Sequence, residues 1–134
     1  MTERARVPGL ASAAPAEVSV VVVNFNGKRH LERCLPALSR TTGVTLETIV
    51  VDNASCDGSL AWLAEHHSEV RVLAMPSNLG FGEANRRGVA QARNELVALL
   101  NNDTEVEPGW LAALLGPLQA APDVAATCSV LRLL

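Results

Sequence analysis

The sequence predicts an α/β chain folded around a doubly wound, mostly parallel sheet. Three observations carry this: four short apolar runs, helical patterns in the segments between them, and polar or glycine-rich residues directly after each run. Runs nearly continuous in Val, Leu and Ile suit strands buried on both faces, as parallel strands are. Their alternation with helices requires right-handed crossovers.

The first strand is "VSVVVVN" (18–24). In the segment after it, Leu31, Cys34, Leu35 and Leu38 form one helical stripe, and Pro36 inside that stripe is expected to kink or shorten the helix. "TIVVDN" (48–53) is the second strand. The turn "NASCDGS" follows, with Ser55 or Asp57 as N-cap of a short helix over "LAWLAEHH". "VRVLA" (70–74) is the third strand. In the helix "GEANRRGVAQA", Ala84, Gly88 and Ala92 recur every fourth position and predict a close approach to the sheet. "LVALLN" (96–101) is the fourth strand. Pro108 then opens a helix that carries Leu111, Leu114, Leu115 and Leu118 on one face, and "VAATCSVLRLL" reads as a final strand.

At 134 residues the chain is long enough for one domain, placed at 17–134 behind a flexible tail at 1–16. Pro8, Gly9 and Pro15 break that tail before it can form the apolar core of a leader peptide. No later run approaches the roughly 18 apolar residues of a membrane span. The net charge is −3 and the basic residues are scattered, so nucleic acid is excluded as a partner. Cys34, Cys56 and Cys128, with His30, His66 and His67, show no zinc-site spacing. The thiols read as reduced and packed as small apolar groups, which fits a cytoplasmic location.

In a doubly wound sheet, ligands bind beyond the carboxyl ends of the strands. The segments there are "NFNG" (24–27), "DNASCDGS" (52–59), "PSNLGFGEAN" (76–85) and "NNDTEVE" (101–107), and they hold Asp52, Asp57 and Asp103, three of the four aspartates. "NFNGKRH" has one glycine where a dinucleotide fingerprint has three, and no phosphate-loop GxxxxGK[ST] occurs. A nucleotide diphosphate can be held another way. Asp52 would accept hydrogen bonds from a base or ribose. Asp103 would hold a divalent cation, with Asn102 orienting a water or a phosphate oxygen. Each of these residues also has a purely structural reading. Asp103 fits an N-cap or turn aspartate, Asp52-Asn53 an Asx-turn, Asp57 a cap, Asn78, Gly80 and Gly82 ordinary turn chemistry, and Arg86 and Arg87 a solvated helix face within reach of a phosphate.

"VSVVVVNFNGKRHLERCL", "ETIVVDNASCDGS", "NLGFGEANRRGVAQA" and "LVALLNNDTEVEPGWL", in this order and spacing, resemble the nucleotide-sugar-binding half of the family 2 glycosyltransferases, with the rhamnosyltransferase-like branch most similar. The resemblance covers 18 to about 130. It implies a Rossmann-like sheet of GT-A type, truncated, and an inverting transferase that uses Mg²⁺ or Mn²⁺. By position it implies that Asn24 and Asn26 line the base pocket and that Asp52 binds base or ribose, with Asn53 and Ser55 shaping the loop. Asn78, Gly80 and Asn85 would border the donor site. "NND" would stand for the family's DxD motif, with Asn102 at the donor and Asp103 on the cation; asparagine at both earlier positions lowers the charge offered to the metal.

The resemblance also implies a nucleotide-diphosphate sugar donor, a glycan or lipid-linked acceptor, and a place in cell-envelope polysaccharide biosynthesis, with peripheral attachment at the inner membrane face as one option. Family members continue into an acceptor half that carries an Asp or Glu base. No catalytic residue is identifiable in this chain, which reads as a donor half that is truncated, completed by a partner domain or by self-association, or inactive alone.

Overall fold

A computed structural model describes residues 14–130, and all that follows concerns these. Four parallel strands form one sheet in the order β3-β2-β1-β4: β1 (Ala16–Asn24), β2 (Val44–Asp52), β3 (Arg71–Ala74) and β4 (Leu96–Asn101). Four helices alternate with them: α1 (Lys28–Ser39), α2 (Ser59–His66), α3 (Phe81–Ala90) and α4 (Trp110–Ala120).

Two apolar layers explain why these elements pack. On one face Val18, Val20 and Val22 of β1 meet Leu31, Cys34, Leu35 and Leu38 of α1, Leu63 of α2, and Leu111 and Leu115 of α4. The predicted α1 stripe is thus the buried one. Each such Leu or Val removed from water contributes about 1.5–3 kcal/mol. On the other face Val21, Val23, Ile49 and Val51 pack against Ala84 of α3. Gly88 explains how closely that helix sits: a Cβ there would overlap Val21 Cγ1 and come within 3.0 Å of Val51 Cγ2.

Four expectations change. The first helix runs through Pro36 to Ser39, so the proline does not shorten it. The second strand starts at Val44, because Val44, Thr45 and Leu46 pair with Ala16, Glu17 and Val18. Ala16, assigned to the tail, therefore belongs to β1, while 1–13 lie outside the described residues. The final strand does not form over 124–130: the segment carries no regular structure, Val130 is 90% exposed, and Thr127 Oγ1 donates to the Leu114 carbonyl at 3.0 Å. Residues 131–134 of that segment are outside the described range.

The order 3-2-1-4 reverses between β1 and β4. The chain moves outward from β1 through β2 to β3, then α3 carries it back over the other face to β4. The reversal opens a crevice at the carboxyl ends of β1 and β4, the position where sheets of this kind bind ligands.

Candidate functional site

A cleft of about 590 Å³ lies at that reversal, lined by Val23, Phe25, Asn53, Asn78, Gly80, Phe81, Asn101, Asn102 and Asp103. Of the predicted site residues, Asn53, Asn78, Gly80, Asn102 and Asp103 thus share one surface. Asp103 is exposed there, on a turn closed by the Thr104 amide donating to the Asn101 carbonyl at 3.2 Å. An ion pair between Arg33 and Glu105, at 2.5 Å, ties the next stretch of loop to α1.

Asn24 and Asp52 occupy a different layer. Both are 0% exposed, and neither lines the cleft. They sit opposite each other as the last pair of the β1–β2 ladder. Asn24 Nδ2 donates to Asp52 Oδ2 at 3.0 Å, to Ser59 Oγ at 3.0 Å and to Ser55 Oγ at 3.2 Å. Asp52 Oδ1 accepts from the Ser55 amide at 2.9 Å, and Asn102 Nδ2 donates to Asn24 Oδ1 at 2.9 Å. Sealed from solvent, Asn24 and Asp52, expected at the base pocket and at the base or ribose, hold three loops together from beneath the cleft.

The other asparagines act similarly. Asn53 is buried. Its Nδ2 donates to Asn78 Oδ1 at 2.8 Å and its Oδ1 accepts from the Leu79 amide at 2.9 Å, which fixes the loop before α3. Asn78 Oδ1 also accepts from the Gly80 amide at 2.9 Å. Asn26 lies at φ 49°, a left-handed geometry asparagine tolerates, and its Oδ1 accepts from the Cys56 amide at 2.7 Å. Ser55 Oγ accepts from the Asn26 amide at 2.9 Å. Asn85 is buried in α3 with Nδ2 donating to the Phe81 carbonyl at 3.0 Å, and it does not line the cleft.

Asp57 joins two helix starts. Neither Ser55 nor Asp57 is the N-cap of α2, which is Gly58. Asp57 Oδ1 instead accepts from the Ser59 amide at 3.0 Å and from the Ser59 hydroxyl, and Oδ2 accepts from the Lys28 amide of α1 at 2.8 Å. Burial pushes its carboxyl up, but these bonds outweigh it and hold Asp57 below the usual carboxylate range. Arg86 and Arg87 fold onto Glu83 at 2.6 and 2.8 Å, and their hydrogen bonds lower Glu83 to about 2.

Under the Asp103 loop, burial raises the Cys34 thiol to about 11, with Asp103 and Glu105 adding to the shift, so it packs as an inert apolar group. Cys56 and Cys128 are exposed, contrary to the packed reading.

Among the described residues no three His, Cys, Asp or Glu side chains converge as a metal cage. A hard divalent cation still fits the cleft, because Mg²⁺ and Mn²⁺ accept one protein carboxylate and complete their shell with phosphate and water. Asp103 with the neighbouring carboxamides offers that oxygen chemistry. A second hollow, about 620 Å³, opens near the amino ends of the strands, between Leu46, Val70 and the charged side chains of Glu47, Arg71 and Arg93. Its charges are matched internally. Glu47 accepts from Ser19 Oγ at 2.5 Å, the Arg93 amide at 2.9 Å and Arg71 at 3.4 Å, so this hollow is a strut of the sheet.

Sequence reading missed Val23, Phe25, Phe81 and Asn101 in the lining and Ser59 and Gly27 beneath it. Gly27 had a signal, since it stands alone in "NFNG" just past a strand. A Cβ at Gly27 would overlap the Asn102 amide nitrogen and come 2.7 Å from Asn24 Oδ1, so only glycine leaves that hydrogen bond intact.

Known proteins are similar to this chain in sequence and in fold. The profile described as Glycosyl transferase family 2 matches residues 19–132. The chain is 32% identical over 106 residues to "Succinoglycan biosynthesis protein ExoO" of Rhizobium meliloti, covering 78% of this chain and 30% of that one. It is 31% identical over 124 residues to an N-acetylglucosaminyl-diphospho-decaprenol L-rhamnosyltransferase of Mycobacterium tuberculosis, covering 84% and 40%. The chain thus spans 30 to 40% of the length of these relatives. In fold it matches S. aureus TarS in complex with UDP-GlcNAc (TM-score 0.66, 22% identity, 72% of this chain and 29% of that one). It also matches a mannosyltransferase from Pyrobaculum calidifontis in complex with GDP-Man and Mn²⁺ (TM-score 0.59, 24% identity, 68% and 28%). No helix among the described residues is long and apolar enough to cross a membrane. Because the family profile spans nearly the whole sequence, and the observed sheet places its motifs around one cleft, this chain belongs to glycosyl transferase family 2.

Proposed function

We propose that the chain is the donor-binding part of a glycosyltransferase. It takes a nucleotide-diphosphate sugar into the cleft between β1 and β4 and positions it, with Mg²⁺ or Mn²⁺ at Asp103, for inverting transfer to a glycan or lipid-linked acceptor. The observation that carries this is the convergence of Asp103, Asn102, Asn53 and Asn78 on one surface at the sheet's topological reversal. Phe25 and Phe81, 50% and 58% exposed, flank it as apolar walls for a base or sugar. When bound, the cation would offset the charge of the departing diphosphate. The names of the two relatives support a role in building cell-envelope polysaccharide.

None of these residues is assigned as the base that deprotonates the acceptor. A partner domain or a second copy would cover the open side of β4. Calorimetry with UDP, dTDP and GDP, with and without Mn²⁺, tests the reading on wild type and Asp103→Ala. Mn²⁺ should tighten the preferred nucleotide in wild type only. Affinity indifferent to both metal and substitution removes the reading. A second reading is a nucleotide-sugar-binding module without turnover. Assaying donor hydrolysis and transfer by the chain alone separates the two.

A further inference from the structure

Resting on that reading of the cleft, we propose that Asp52 and Asn24 are positioning residues that form a polarity relay: the buried carboxylate fixes which end of the Asn102 carboxamide faces the cation site.

What each group can donate or accept fixes its orientation. An ionised carboxylate only accepts. Asp52 Oδ2 therefore requires the amide nitrogen of Asn24 on its side. Two further acceptors lie at the same end of Asn24: Ser59 Oγ, whose proton goes to Asp57, and Ser55 Oγ, which also takes the Asn26 amide. With its nitrogen directed there, Asn24 presents Oδ1 to Asn102 and accepts the Asn102 amide at 2.9 Å. Asn102 lines the cleft, so the end left facing it is the carbonyl oxygen, beside Asp103. An oxygen there suits a hard divalent cation or its water. An NH₂ group would repel it. Gly27 supports the same arrangement by leaving room for Asn102 Nδ2 beside Asn24 Oδ1. The chain thus recovers, through a buried relay, an oxygen at a position where it carries a neutral amide in place of a carboxylate.

Asp52→Asn reverses the relay without changing its shape. The Ser55 amide keeps the oxygen of the new side chain, so its NH₂ meets Asn24, which turns over to accept from it. The Ser59 hydroxyl can rotate to donate. Asn24 then offers NH₂ to Asn102, which turns its own NH₂ into the cleft. Mn²⁺ binding, read by the electron paramagnetic resonance of free Mn²⁺ with the preferred diphosphate at saturation, should weaken about 10- to 100-fold, as loss of an orienting partner does. Adding Asn102→Asp to Asp52→Asn should restore about tenfold, because that carboxylate accepts from the turned Asn24 and returns an oxygen to the site.

Retained Mn²⁺ affinity in Asp52→Asn, or a double variant no better than the single, overturns the relay. So does a loss of nucleotide affinity that is the same with and without Mn²⁺, which would give Asp52 a direct role at the nucleotide. A wild-type chain that binds neither nucleotide nor Mn²⁺ instead removes the reading of the cleft itself, and the relay with it. If a variant fails to fold, wild-type NMR decides the orientation. The relay expects cross-peaks between the Asn102 side-chain amide protons and the Gly27 Hα, and their absence overturns it.

Discussion

Single residues at the strand ends carry conformations and contacts that only their neighbours justify. Ala54 sits at φ 67°, left-handed geometry that L-residues with a Cβ adopt at a penalty of about 1–2 kcal/mol. It lies between Asn53, which fixes the loop before α3, and Ser55, which caps Asp52, so both flanks hold it there. Ala54→Gly should therefore stabilise the fold by about 1 kcal/mol in chemical denaturation, and a destabilised variant would show that the alanine methyl has a packing role. Gly27 is the converse case. Gly27→Ala should separate Asn102 from Asn24 and weaken Mn²⁺ binding more than nucleotide binding, read by the same resonance and calorimetry. An unchanged metal affinity would mean that the loop absorbs the methyl without losing the bond.

Among the elements, α3 depends on what it lacks. Gly88→Val would drive branched carbons into Val21 and Val51, and overpacking of this kind costs about 1–3 kcal/mol, measurable as a lower denaturation midpoint. The two carboxylates that strut the sheet and join helix starts give a pH signature. Asp57 and Glu47 both titrate below their ordinary values of 3.8 and 4.5 in the folded chain. In each, hydrogen bonds, and for Glu47 the nearby Arg93 charge, outweigh burial, which would raise them. A depressed folded value means that the unfolded chain takes up the proton first, so their stabilisation is complete above the unfolded values and is lost as pH falls through the folded ones. Stability should hold from pH 7 to about 5 and decline below about 4. Glu47→Gln should make that acid decline shallower, and an unaltered decline would assign it to other carboxyls.

For the whole molecule, the decisive feature is the uneven cover of the sheet. α3 reaches over β1 and β2, which leaves Val97 and Leu99 of β4 37% and 56% exposed on that face. β4 is also an edge strand among the described residues. An open edge with apolar side chains invites pairing. Light scattering of the chain should show association that grows with concentration, and Leu99→Lys should reduce it. A monomer at all concentrations would indicate that the edge is protected.

The order of elements, the buried α1 stripe and the close-packed face of α3 were legible in the sequence. Periodicity and side-chain size act within a few residues of chain, and burial of the apolar stripe follows from them. The final strand was misread because apolar composition alone does not provide a neighbour to pair with. The polar residues at the strand ends were found as a set, yet their division into cleft-lining and buried members was not legible. An asparagine or aspartate can satisfy its donors and acceptors within its own turn or across the molecule. Which it does depends on the register that sets Asn24 beside Asp52 and on the crossover that brings β4 next to β1. The sequence by itself determined the sheet, its helices and the edge at which its polar loops gather. Only the tertiary structure decided that Asp103 faces the cleft while Asp52 lies beneath it, because burial and hydrogen-bond partners are properties of loops that meet in space, far apart along the chain.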